Sequence, residues 1–253
     1  MFLAVLVILL LLNYFYTIPP ILFYFFFTFA LVLWFCITML GSTLINWNYH
    51  LTSLLHNRSI DKNQIAITFD DSPNPEFTPK VLSLLKKYDA KATFFCIGRN
   101  IEANSDLFRK LISEGHTVGN HTYSHSNRFG FFSTEKVVLE LTKTNQLVKD
   151  ISGLELKLYR PAFGVTNPNI KKALQQTKLT SIGWSKRSLD TTNLSEERVL
   201  KRIIKNLKRG DIILLHDSSD KSVAVLERLL LFLKSEKMQS VTIDQLLAIK
   251  PYA

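Results

Sequence analysis

From Met1 to Ile18 nearly every position is apolar, Pro19-Pro20 interrupts the run, and Ile21 to Gly41 continues it without a charge. As a helix, the second stretch spans about 32 Å, enough to cross a bilayer core of roughly 30 Å, and the first, at about 27 Å, is marginal. The pattern predicts transmembrane helices over about 1–18 and 21–41 joined as a hairpin, with a single span from about Ile21 as the other arrangement. Tyr14, Tyr16, Trp47 and Tyr49 stand near the ends of the stretches, where interfacial aromatics lie. No Lys or Arg precedes the apolar run and no small-x-small site follows it, which argues against a cleaved signal peptide.

After residue 63 the pattern changes to short apolar runs alternating with amphipathic segments. Strands are predicted at Gln64–Asp70, Ala92–Ile97, His116–Asn120, Leu158–Arg160, Thr180–Ser185, Asp211–His216 and Ser240–Ile243. Helices are predicted at Phe77–Tyr88, Ile101–Glu114, from Ser133 to about Asp150 with Thr134 as its cap, from Asn167-Pro168, from Ser195, over Ser222–Lys237, and briefly after the last strand. Such alternation argues a parallel sheet or barrel with helices outside. The first strand ends in TFDDSPNP rather than a glycine-rich phosphate loop, so an α/β barrel is preferred to a dinucleotide fold.

Charge sharpens the division. Residues 1–57 contain no Lys, Arg, Asp or Glu, so all 52 charges, 31 basic and 21 acidic, lie in the remaining 196 residues. This excludes one uniform globular body, a disordered chain and, with only Cys36 and Cys96, a disulfide framework. The expected organisation is a membrane anchor with linker over 1–57 and a folded charged domain over 58–253, with the bilayer as a partner of the first part. Cys36 is expected within a membrane helix, and His50 and His56 as solvated linker residues. Arg58 and Lys62 after the second span would put the domain in the cytosol if the positive-inside rule is taken literally, but a large domain crosses largely regardless of its charges. The net charge of +10 is spread over helix faces without a stacking aromatic set, so no nucleic-acid partner is expected.

The unusual polar residues fall at the predicted strand ends: Asp70 and Asp71, His121 and His125, Arg160, Asp190 after Trp184, and His216. In a barrel of parallel strands those ends share one rim, where active sites form. Adjacent residues of an extended chain point to opposite sides, so one carboxylate of the Asp pair can bind a metal while the other stays free as a base. His121 and His125 at i, i+4 can reach one cation, and with one Asp they make a three-ligand site with a position open for water. His216 is suited to proton donation. Arg160 can orient the base, and Asp190 can hold Arg160 in turn.

Taken in order, Thr68-Phe69-Asp70-Asp71, Asn120-His121-Thr-Tyr-Ser-His125, Arg160-Pro161-Ala162-Phe163-Gly164, Trp184 with Asp190, and Leu214-Leu215-His216 resemble the five motifs of the polysaccharide deacetylase family, the NodB-homology or family-four carbohydrate esterases. The match covers about residues 62–245. The resemblance implies a distorted barrel of seven or eight β/α units. It also implies a divalent metal, zinc or else cobalt or another ion, on Asp71, His121 and His125. Asp70 would be the general base, His216 the general acid, Arg160 the group orienting Asp70, and Asp190 a support for Arg160 or His216. The Phe163 backbone N–H would serve an oxyanion hole, and Trp184 and Leu214 would line the acetyl pocket. Three positions depart from the family pattern: Ser72 replaces a Gly, Ala162 a Pro and Ser185 an Asp. The implied activity is removal of N-acetyl groups from an amino-sugar polymer such as peptidoglycan or chitin, with an O-acetyl esterase, a non-catalytic glycan-binding protein and, from the ligand set alone, a non-haem iron oxygenase as competitors. A wall substrate would require an outward-facing domain.

Overall fold

The computed structural model describes residues 2–16 and 19–253. Met1, Thr17 and Ile18, at the ends of the first predicted membrane helix, lie outside the described residues. Two apolar helices come first, α1 (Phe2–Tyr16) and α2 (Pro20–Thr43), and α1 packs beside α2. At 15 residues α1 is about 22 Å long, short of a bilayer core. The 24 residues of α2, which include an 18-residue stretch with a mean hydropathy of 2.3, make it the one described helix long and apolar enough to cross.

The rest alternates: β1 (Gln64–Ser72), α3 (Thr78–Lys87), β2 (Ala92–Cys96), α4 (Gly98–Ala103), α5 (Ser105–Ser113), β3 (Thr117–Asn120), α6 (Thr134–Ser152), β4 (Leu158–Tyr159), α7 (Pro168–Thr177), β5 (Thr180–Ser181), β6 (Lys186–Arg187), α8 (Glu196–Ile204), β7 (Ile212–His216), α9 (Asp220–Ser235), β8 (Gln239–Ser240) and α10 (Ile243–Leu247). All strand pairs are parallel, in the order β5-β4-β3-β2-β1-β7-β6, with β8 against the foot of β1. The two edge strands, β5 and β6, are separated in sequence only by residues 182–185. The sheet therefore curls toward closure, residues 44–57 pairing along its β5 edge, which gives the distorted barrel that the family resemblance implies.

Three details differ from the sequence expectation. The segment expected as one strand over Thr180–Ser185 is broken into β5 and β6, because Leu55 and Ile45 press against Gly183, where even a Cβ would meet Leu55 at 2.5 Å. The predicted helix over Ile101–Glu114 is two helices divided at Asn104. Ser133, not Thr134, caps α6, accepting a hydrogen bond from the Lys136 N–H.

Strand side chains alternate between two cores. Ile65, Ile67, Phe69, Ile213 and Leu215 face the outer helices, while Ala66, Leu214 and Phe95 fill the barrel with Ile182, Trp184 and Ile45. Ile45, two residues beyond α2, is thus part of the barrel interior. Residues 44–57 run across the seam: the Leu54 N–H donates to the Ser181 carbonyl and the Gly183 N–H donates to that of Leu54. Of the two histidines expected as solvated, His50 is half-buried, its Nε2 3.0 Å from Ser42 Oγ, whereas His56 is exposed as expected, with only its backbone bridged to Asp211.

Candidate active site

β1 delivers both carboxylates, but not by simple alternation. The β1–β2 register shifts between Phe69 and Ser72, and Asp71 adopts φ 69°, in the left-handed region. This bulge turns both Asp side chains toward one imidazole: His121 Nε2 lies 3.9 Å from Asp70 Oδ2 and 3.5 Å from Asp71 Oδ1. The expectation that the neighbours face opposite sides fails here because the backbone is not extended at Asp71.

The two carboxylates nevertheless have different surroundings. Asp70 is buried, and its Oδ1 accepts from Arg160 Nη1 at 3.2 Å. Arg160 is itself fully buried, donating also to Thr68 Oγ1 and to the Gly183 carbonyl and lying over the rings of Phe95 and Trp184. Asp71 Oδ1 is a buried oxygen without a hydrogen-bond partner, 3.5 Å from His121 Nε2 and 3.4 Å from His125 Nε2. Those separations are long for hydrogen bonds. They match the edges of a tetrahedron around a cation with bonds of about 2.0–2.1 Å, roughly 3.3–3.4 Å. The His121 Nδ1 lies 2.9 Å from the Arg160 carbonyl, which fixes that nitrogen as an N–H and turns Nε2 toward the two carboxylates. Burial disfavours charge on this ring, but Asp70 and Asp71 raise it, so a cation at Nε2 would take the place of a proton. Burial, with the charges of His121 and Arg99, lowers His125 to about 4, so this ring is neutral and able to ligate. Burial alone would raise Asp71, but the imidazoles beside it outweigh that and hold the carboxyl far below its usual range. The three residues fit a divalent cation.

Across the pocket stands His216, at the end of β7 and paired in register with Asp70. Its Nδ1 lies 2.9 Å from Asp190 Oδ1, and its backbone N–H donates to Asp190 Oδ2 at 2.8 Å. Ser188 and Ser222 hydroxyls complete the shell of this fully buried carboxylate. Asp190 therefore supports His216 and not Arg160, which corrects the other arrangement considered above. Burial pulls His216 down, but the Asp190 hydrogen bond and charge, helped by Asp70 and Asp71, bring it up to about 9.

The pocket between these groups has a volume of about 330 Å³. Phe163, at φ 58°, sets its ring against that of His125, centroids 4.4 Å apart and planes tilted by 44°. Trp184 and Leu214 line the same pocket from the barrel interior. Trp184 lies not at the end of a strand but in the break between β5 and β6. Of the three departures from the family pattern, Ala162 is buried beneath Phe163 in the same tight turn, and Ser72 is buried after the bulge. Ser185 points elsewhere, donating to Asp211 Oδ1 at 2.6 Å. The sequence reading passed over Arg187, Leu189, Thr191 and Thr192, which also line the pocket. Leu189 reaches it through a left-handed backbone, φ 63°, that nothing in its side chain announces.

A rim pocket in a β/α barrel with a three-ligand cation site, a carboxylate held by arginine and an imidazole held by aspartate defines a hydrolase. Comparison with known proteins agrees. Residues 57–182 match the polysaccharide deacetylase family. A peptidoglycan-N-acetylglucosamine deacetylase of Bacillus cereus is 37% identical over 194 residues, 74% of this chain and 89% of the relative. The peptidoglycan-N-acetylmuramic acid deacetylase PdaC of Bacillus subtilis is 30% identical over 204 residues, 80% of this chain and 43% of the relative. The crystal structure of the Bc1960 peptidoglycan N-acetylglucosamine deacetylase superposes with a TM-score of 0.73 at 29% identity, covering 79% of this chain and 95% of that one. The chain belongs to the polysaccharide deacetylase family, and is a hydrolase of carbon–nitrogen bonds other than peptide bonds.

Proposed function

We propose that this protein is a membrane-anchored, metal-dependent N-deacetylase of an amino-sugar polymer of the peptidoglycan type, with α2 as anchor and its catalytic domain outside the cytoplasm. One observation carries the catalytic part: the Asp71–His121–His125 triangle lies between the Arg160-held Asp70 and the Asp190-held His216 around a single pocket. The uninterrupted apolarity of α2 and the charge-free first 57 residues support the anchor. The division into anchor and catalytic parts is part of the same reading.

A divalent cation, best zinc for one carboxylate and two imidazoles with an open position, would polarise the amide carbonyl and make its bound water acidic. Asp70 takes the proton of the attacking water. Arg160 keeps Asp70 aimed at that water. The Phe163 N–H faces the developing oxyanion, and a donor of this kind contributes about 2.7–4 kcal/mol. His216 protonates the departing amine, while Asp190 fixes its tautomer and steadies the imidazolium. Trp184 and Leu214 enclose the acetyl methyl group. Acetate and a free amino sugar leave.

The full chain, purified in detergent and loaded with zinc or cobalt, is expected to release acetate from N-acetylated peptidoglycan fragments. Asp70→Asn should lower that release by on the order of 10²–10⁴-fold while retaining the metal. Equal release by both proteins would overturn the assignment of Asp70, and no release by the wild type would favour a glycan-binding role.

A further inference from the structure

The apolar helix α2 does not end on a free linker; it ends on the catalytic rim. The Thr166 N–H donates to the Ser42 carbonyl at 2.9 Å, and the Thr166 hydroxyl to that of Gly41 at 3.4 Å. Thr166 lies in the loop between β4 and α7, on the carboxyl side of the sheet. It is three residues beyond pocket-lining Phe163, so at most about 11 Å of chain separates the pocket wall from the last turn of α2. Gly41 is closely capped by Tyr49, and Ile45 is locked in the barrel interior, which leaves no room for a swivel at this joint.

Beside that joint a second loop of the same rim displays an apolar tip. Phe131, between β3 and α6, is 92% exposed. An exposed phenylalanine by itself carries no meaning. This one is presented by a fixed turn: Phe129 and Phe132 are buried on either side of it, and Asn167 and Asn169 donate to the carbonyls of Gly130 and Phe132 at 2.7 and 3.0 Å. Asn167 follows Thr166 directly, so the loop that grips α2 also braces Phe131. Around the joint lie the cations and aromatics that suit an anionic headgroup layer, exposed Arg128 in the Phe131 loop, and Lys171 beside Tyr49 and His50.

We propose that the Arg128–Phe131 loop is a second membrane contact that enters the interfacial layer beside α2 and holds the catalytic mouth against the bilayer. The pocket then takes N-acetyl sugars carried on membrane lipid in preference to free glycan. This rests on α2 being a membrane anchor.

The test uses the full chain with Cys36→Ser and an environment-sensitive fluorophore at Phe131→Cys, in vesicles of phosphatidylcholine and phosphatidylglycerol with brominated acyl chains. A label at Leu231→Cys, on the exposed face of α9, is the control. The label at 131 is expected to be quenched by brominated lipid, and the label at 231 by aqueous iodide. In activity, Phe131→Asp should lower acetate release from an N-acetylglucosaminyl lipid in vesicles by about tenfold while leaving release from a soluble N-acetylglucosamine oligomer within about twofold of wild type. Quenching at 131 by iodide alone, shielding from both quenchers as under a protein contact, or equal loss on both substrates would each overturn the proposal while leaving the anchor intact. Failure of the chain to float with the vesicles would remove the anchor and this inference together.

Discussion

His216 and Asp190 set the pH behaviour. The protonated imidazole is the form that Asp190 holds, so its contribution to stability is complete below the ordinary value of about 6.5 and is lost as pH rises through about 9. The same protonated form is the general acid. The rate of acetate release should therefore fall on the alkaline side, at or below pH 9, since a cation on Asp71 cancels part of that carboxylate's pull on His216. Asp190→Asn removes the principal group raising the imidazole, and its alkaline limb should move to lower pH in a pH–rate profile. An unmoved limb would mean that another group titrates there. The motif residues of this site could be named from the sequence because their types and order are distinctive. Which group Asp190 serves could not, since Arg160 and His216 are both compatible with its spacing, and only the closure of residues 186–190 against β7 decides.

At the scale of elements, the turn after β4 is shaped around one glycine. Gly164 has φ 71°, and a Cβ there would meet the Trp184 ring at 2.7 Å. Gly164→Ala should cost about 1–3 kcal/mol from the backbone conformation alone. By pushing Trp184 out of the acetyl pocket it should also reduce acetate release while metal content stays normal. Thermal unfolding and metal analysis of the same sample check both, and a fully active variant would show that Trp184 does not shape the pocket. Most helices were legible from capping residues and period, as with Asn167-Pro168 and Ser195-Glu196. The strand expected over Thr180–Ser185 was not, because its break is imposed by Leu55 and Ile45 from a distant part of the chain.

Over the whole molecule, the charge boundary and the folding boundary do not coincide. The first charge is Arg58, yet Ile45 and Leu51 are buried in the barrel's cores and Leu54 pairs across its seam. Losing two such side chains forfeits about 3–6 kcal/mol of apolar burial. A soluble fragment spanning 44–253 should therefore unfold cooperatively, whereas one spanning 58–253 should melt about 10 °C lower or more. Equal melting temperatures by calorimetry would show that residues 44–57 only decorate the barrel.

The sequence by itself determined the two materials of this chain, the parallel β/α alternation and the residues that converge on one rim. Those properties are written in local period, in charge and in motif order, which need no partner to be read. The tertiary structure decided the bulge that turns Asp70 and Asp71 to the same histidine, the pairing of Asp190 with His216, and the attachment of α2 to the catalytic rim. Each of these depends on segments separated in sequence meeting in space, and a linear pattern carries no record of that meeting.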